Sequence, residues 1–270
     1  MVQITEKHLT LVLLDLVNST KIVQKIGATK SALLFQKHDQ LTRSLLYKFN
    51  GREIDRSDGF LFSFDSVLSA VNFALWYQLT VPLKTGLNSR IGVHYGLIAE
   101  VIQEDKYTLA GAKSVELEGI TKNITARIMS ICKAKQVLLS KEAFFKVRNR
   151  TNAFTPKNVK YACVGVYKFK GVKTPLEIFA VAVNIEYLQP PPSTEKAKRL
   201  GGPKKIKSRA RDRKLKEWFF YLLPRIFLLE IIYFLNLGWP CLSNYQCRKM
   251  WGIDHLFFWC DYIQKIILFF

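Results

Sequence analysis

The chain has 270 residues, 49% of them hydrophobic, and its 41 Lys and Arg outweigh 21 Asp and Glu to give a formal net charge of +20. That length holds one generous domain plus an appendage, with a core of ordinary size. The five cysteines, Cys132, Cys163, Cys241, Cys247 and Cys260, include no C-x-x-C pair and no histidine at finger spacing, which argues against a zinc site or a secreted disulfide frame and for a reducing cytosol.

Residues 1–7 carry no apolar run, so no signal peptide is expected. Residues 8–14 are apolar and end at Asp15, the pattern of a short buried strand. Asn18, Ser19 and Thr20 then offer helix caps, and two helical patterns follow, the second over residues 30–49 and closed by Gly51. Two short strands, 52–55 and 60–64, are joined by Arg56-Ser57-Asp58-Gly59, whose Asp-Gly predicts a tight hairpin. Residues 66–79 carry a helical apolar stripe, which Pro82 and Gly86 close; 89–95 and 97–102 read as strands around Gly96. Helix 120–131, strand 136–139, a helix capped by Ser140, and strands 164–169 and 176–183 complete the pattern. Strands alternating with helices, with hairpins inserted, predict an α+β or α/β sandwich.

Pro190-Pro191-Pro192 opens a linker, and residues 196–216 hold eleven Lys or Arg against the single acid Asp212, half of the net charge. Such a run is a solvated linker, a nucleic-acid arm or a contact for anionic headgroups. Residues 218–237 are apolar and just long enough to span a bilayer, but Arg225 and Glu230 would each cost about 2.5–3.5 kcal/mol near its centre. A helix lying in the interface or a partner-docking segment competes with a span.

Three segments combine chemistry-bearing residues. Leu13-Leu14-Asp15-Leu16-Val17-Asn18-Ser19-Thr20 sets a carboxylate at a strand end before a helix start. Gly51-Arg52-Glu53-Ile54-Asp55-Arg56-Ser57-Asp58-Gly59-Phe60 sets one on a hairpin turn, and Gly119-Ile120-Thr121-Lys122-Asn123-Ile124-Thr125-Ala126-Arg127 puts an amide and a guanidinium four apart on one helix face. Singly each is an ordinary cap, turn or solvated pair; their order and spacing together point to a site.

In that order they resemble the catalytic domain of class III adenylate and guanylate cyclases over about residues 8–183. Arg90-Ile91-Gly92-Val93-His94-Tyr95-Gly96, Gln136-Val137-Leu138-Leu139-Ser140 and Tyr167-Lys168-Phe169-Lys170-Gly171-Val172 extend the likeness, as do Gly51-Arg52-Glu53-Ile54-Asp55 and Gly111-Ala112-Lys113. The resemblance implies an α+β fold with a ferredoxin-like βαββαβ core, further strands and helices, and here a C-terminal apolar helical tail. The domains expected are 1–187 for catalysis, 188–216 as Pro-rich and basic linker, and 217–270 as apolar tail. The implied reaction makes a cyclic 3′,5′-nucleoside monophosphate and pyrophosphate from a nucleoside triphosphate, for intracellular signalling.

The roles carried over are metal binding by Asp15 and Asp58, which would hold two Mg²⁺ or Mn²⁺ ions, and catalysis by Arg127 and Asn123. Triphosphate would be bound by the amides around Asn18, Ser19 and Thr20 and by Lys170. The family shares each site between the two protomers of a head-to-tail homodimer, one giving the Asp pair and the other the Asn/Arg pair. Base reading falls on Ile54, often Lys or Glu in the family, and on Glu116, commonly Asp or Cys; Ser57 stands where Gly is usual. Ile54 offers no donor or acceptor, so base choice is open: the resemblance favours ATP or GTP, and pyrimidine triphosphates stay open. These departures also motivate a rival, a pseudocyclase that binds nucleotide or a partner without turnover. His38 and His94 are expected to be structural. The protein is expected in the cytoplasm, attached to the inner face of the membrane if the tail binds lipid; nucleic acid ranks lowest, since no aromatic–basic interleaving accompanies the basic run.

Overall fold

A computed structural model describes residues 3–57 and 59–202; Asp58, most of the basic run and the apolar tail lie outside the described residues. The chain divides into two units, and the first, Met1–Lys204, is the domain described below.

Its elements run β1 (Gln3–Leu16), α1 (Ser19–Ile26), α2 (Ala28–Lys48), β2 (Arg52–Arg56), β3 (Gly59–Phe64), α3 (Val67–Thr85) and β4 (Ser89–Ile102). There follow α4 (Asp105–Leu109), β5 (Val115–Glu118), α5 (Ile120–Ile131), β6 (Val137–Ser140), α6 (Lys141–Val147), β7 (Lys160–Phe169), β8 (Leu176–Ala182) and β9 (Ala197–Gly201). All strands join one sheet in the order β2-β3-β1-β4-β6-β8-β7-β9, with β5 added to β4. The β2-β3-β1-β4 half, with α1–α2 and α3 in its crossovers, is the antiparallel βαββαβ core that the sequence led us to expect; β4 and β6 are the parallel pair.

Strand alternation gives the sheet two different faces. Val12 and Leu14 of β1, Phe60, Phe62 and Phe64 of β3, and Ile91 and Val93 of β4 pack beneath α2, α3 and α6 as the main core. The opposite face carries α5 over β6, β7 and β8, with Ile128, Leu138, Tyr167 and Ile178 buried between them. A smaller apolar cluster, Leu9, Leu11, Leu61, Ile98 and Leu117, covers its remainder.

Several boundaries differ from the sequence pattern for physical reasons. Gly96 does not divide two strands: β4 pairs with β1 without interruption from Ser89 to Ile102. Helix α3 runs through Pro82, losing one ladder bond while Val81 and Pro82 stay buried, and ends where Gly86, at φ 71°, donates to the Pro82 carbonyl at 2.8 Å. Asn18 stands at the N-cap of α1 in a left-handed conformation (φ 60°), and its side chain makes no capping bond. The domain also extends past residue 187. Ala197 is buried, β9 pairs with β7, and the Tyr167 hydroxyl donates to the Pro191 carbonyl at 2.8 Å, so the start of the expected linker is part of the sheet domain.

Candidate active site

The face that bears α5 gathers the chemistry-bearing residues. Asp15 lies at the end of β1, opposite Gly59 on one side and Arg90 on the other. Because β1 and β4 are antiparallel and in register there, Arg90 sits beside the carboxylate; its Nε and Nη2 both donate to Asp15 Oδ2, at 2.9 and 2.6 Å. The side chain of Asp15 keeps 19% of its surface exposed. One oxygen is thus tied to a guanidinium, and Oδ1 has no donor among the described residues.

Asn123 and Arg127 lie one turn apart on α5, the first exposed and the second half-buried, above a stripe of buried Ile124, Ile128 and Ile131. Two glycines of β4 let this helix approach the sheet. A Cβ at Gly92 would stand 2.5 Å from the Met129 amide nitrogen, and one at Gly96 would stand 2.6 Å from Thr121 Oγ1. Thr121 Oγ1 also donates to the Leu97 carbonyl at 2.6 Å, which fixes the start of the helix along β4. The glycine spacing of the Arg90–Gly96 motif is therefore a packing requirement of the helix that carries the Asn/Arg pair.

The hairpin adds a feature invisible in the residue pattern. A bulge shifts the β2–β3 register between Glu53 and Asp55, so that Asp55 faces Leu61 on the α5-bearing side instead of continuing the alternation from Glu53. Asp55 Oδ1 there meets Lys113 Nζ at 2.5 Å, while Ile54 packs against the Leu9–Leu117 apolar cluster with Leu13 and Val115. Glu116 lies opposite Val101, accepts a 3.4 Å bond from Gln103 Nε2, and alternates away from Val115 and Leu117. Ile54 and Glu116 are thus held by different neighbours. Farther along the same sheet, the buried Glu100 carboxylate is ion-paired with both Lys7 and Arg52, tying β4 to β1 and β2.

Ser19 and Thr20 occupy the first turn of α1, and Lys170 is exposed just past β7. No hydrogen bond or ion pair among the described residues links Asn123, Arg127 or Lys170 to Asp15. Asp58, the other expected metal ligand, lies outside the described residues; its neighbours close the turn through a 3.2 Å bond from the Ser57 amide to the Gly59 carbonyl. Arg90, Asp55, Lys113 and Glu100 carried no assigned role in the sequence, because their partners are set by strand register and by the bulge.

The two histidines lie in the framework. His38 is fully buried under α3, with Nε2 2.6 Å from the Tyr77 hydroxyl and Nδ1 2.9 Å from Asp39. Burial works to raise the Asp39 carboxyl, but its bonds with His38 and with the Arg56 guanidinium outweigh this and hold it below the usual range. His94 Nδ1 is 2.8 Å from Ser140 Oγ, and burial lowers the imidazole to about 4 despite the nearby Glu142.

No protein-family model and no curated protein matches the chain. Solved structures do. The adenylyl cyclase CyaB from P. aeruginosa superposes with a TM-score of 0.58 at 16% identity, over 66% of this chain and 95% of that one. Adenylate cyclases from Trypanosoma brucei, in their monomeric state, superpose at 0.55 and 19%, over 73% and 94%. The guanylate cyclase domain of RhGC from Catenaria anguillulae, in complex with GTP, superposes at 0.52 and 18%, over 66% and 97%. Nearly the whole of each of these neighbours is matched, at identities of 16–19%: this chain carries the fold of the class III adenylyl and guanylyl cyclase catalytic domains.

Proposed function

We propose that the domain is a nucleotide cyclase, a phosphorus–oxygen lyase that converts a nucleoside triphosphate into a cyclic 3′,5′-monophosphate and pyrophosphate. The observation that carries this reading is the single sheet face that holds the Asp15 carboxylate at a strand end and, through Gly92 and Gly96, seats the helix bearing Asn123 and Arg127. A purine triphosphate is the favoured substrate: one structural neighbour holds GTP, and another, a rhodopsin-guanylyl cyclase with converted specificity, holds ATPαS.

Asp15 and Asp58 would hold two Mg²⁺ or Mn²⁺ ions. The donor set suits such hard cations, because carboxylate oxygens and phosphate oxygens are their preferred ligands and Asp15 keeps one oxygen clear of Arg90. When bound, the ions would acidify the ribose 3′-hydroxyl and neutralise the leaving pyrophosphate. Arg90 orients Asp15 and adds positive charge beside it. The first-turn amides of α1, uncapped by the Asn18 side chain, would bind phosphate oxygens with Ser19 and Thr20, and Lys170 would take the terminal phosphates. Arg127 would offset the charge that grows on the pentavalent phosphorus, and Asn123 would hold the ribose in line for attack.

These groups work together in a head-to-tail homodimer in which Asp15 and Asp58 of one protomer face Asn123 and Arg127 of the other. The tail would add attachment to the inner membrane face; among the described residues no helix is long and apolar enough to cross a membrane.

The test is direct. Purified protein with Mn²⁺ and each of ATP, GTP, CTP and UTP should give a cyclic monophosphate from at least one, identified by mass spectrometry. Mixing inactive Asp58→Ala with inactive Arg127→Ala should restore turnover, because a heterodimer keeps one intact site. No product from any triphosphate would remove the enzymatic reading; no recovery despite demonstrated subunit exchange would remove the shared site.

A further inference from the structure

Away from the candidate active site, residues 141–160 hold six Lys or Arg (Lys141, Lys146, Arg148, Arg150, Lys157 and Lys160) against one acid, Glu142. All six cations are exposed. Where α6 ends and the chain loops back into β7, the loop closes around a cavity of about 410 Å³ lined by Arg148, Arg150, Thr151, Thr155, Lys157 and Tyr161 among others, and by no carboxylate. That volume is within the range of small-ligand pockets.

The loop is built from the core outward. Asn72, fully buried on an otherwise apolar stretch of α3, donates through Nδ2 to Asn152 Oδ1 at 2.9 Å. The same Asn152 oxygen accepts from the Phe154 amide and from Thr155 Oγ1, each at 3.1 Å. Trp76 Nε1 donates to the Phe154 carbonyl at 2.7 Å, so a second side chain of α3 pins the loop. Asn158 turns the chain in the left-handed region (φ 61°) just before β7. The Arg148 guanidinium is steadied over the Phe145 ring, 4.4 Å from its centroid. A buried amide in an apolar helix stabilises the fold little by itself; here its bond fixes the frame that displays the cations.

Charge then decides what the frame suits. Lys141 is neutralised by Glu177 at 3.4 Å, but no carboxylate pairs with Arg148, Arg150 or Lys157 among the described residues. Uncompensated cations around a concavity focus positive potential into it. Two guanidinium forks, an ammonium and threonine hydroxyls are donors suited to anionic oxygens, and three uncompensated positive charges favour a multiply charged phosphate over a singly charged carboxylate.

We propose that this α6–β7 pocket binds a multiply charged phosphate group, borne either by a free oligophosphate or by a lipid headgroup. None of its lining residues belongs to the candidate active site, so the proposal stands apart from the catalytic reading. Full-length protein without divalent metal is titrated with inorganic pyrophosphate while proton–nitrogen spectra follow the side-chain amides of Asn152 and Asn158. In parallel it is floated with phosphatidylcholine vesicles that contain or lack phosphatidylinositol bisphosphate. Saturable shifts at both amides, weakened roughly tenfold or more in Arg150→Ala/Lys157→Ala as charged hydrogen bonds are removed, identify the free anion. Bisphosphate-dependent flotation that the double substitution abolishes identifies the lipid headgroup. Neither saturable shifts nor bisphosphate dependence, or responses that the double substitution leaves unchanged, would overturn the proposal.

Discussion

Gly92→Ala tests whether the close approach of α5 to β4 sets the activity. The added methyl would lie 2.5 Å from the Met129 nitrogen and 2.8 Å from its Cα, whereas ordinary contact begins near 3.4 Å. The helix must therefore retreat by about 0.9 Å, the difference between 3.4 and 2.5 Å, since the obstruction is backbone and no rotamer change relieves it. Overpacking of this kind costs about 1–3 kcal/mol, against about 0.5–1 kcal/mol regained from the stiffer unfolded chain; because the obstruction is backbone, the upper part of the cost applies and a net loss of about 1–2.5 kcal/mol follows. Asn123 and Arg127 ride on the displaced helix, and a misplacement near 1 Å costs about 100-fold in rate. Denaturant titration measures the first effect and kcat for cyclic nucleotide formation the second, in the fraction that remains folded. Gly201→Ala is the control, because nothing lies within 4 Å of its added methyl. A Gly92→Ala protein as stable as wild type would refute the packing argument whatever the chemistry; a destabilised protein with full kcat would refute the link from packing to catalysis.

Asp15→Ala should abolish turnover with saturating Mn²⁺ while far-ultraviolet circular dichroism and dimer content stay unchanged; near-normal turnover would end the assignment of Asp15 to metal. His94 is buried neutral with its imidazole lowered to about 4, so the unfolded chain takes up the proton first. Its contribution is therefore present above about pH 6.5 and lost as pH falls toward 4, at up to ~1.4 kcal/mol per pH unit. Melting measured between pH 7 and pH 5 should show a slope that His94→Gln flattens, and parallel curves would exclude the histidine as its cause. The full chain should sediment with membranes while residues 1–204 stay in solution. High salt should release an interfacial tail, whose electrostatic attraction is screened over about 8 Å, but not a spanning one; full-length protein soluble and monodisperse without detergent would rule out both.

The sequence alone was enough to place Asp15 at a strand end, the β2–β3 hairpin and the Asn123/Arg127 helix, because each depends on local rules: apolar runs, turn dipeptides and helical spacing. The βαββαβ order of the core was legible for the same reason, as was the framework role of His38 and His94. What residue order could not supply was register. Only the in-register antiparallel pairing of β1 with β4 sets Arg90 on the Asp15 carboxylate, and only the bulge after Glu53 turns Asp55 toward Lys113. Local signals also misplaced ends that packing controls. Pro82 stays helical because its surroundings are buried, and residues 197–201, basic and linker-like by composition, form a strand because β7 offers an open edge. Gly92 and Gly96 are legible as a motif, but their reason is tertiary: a helix some thirty residues later in the chain needs the space that a side chain there would fill.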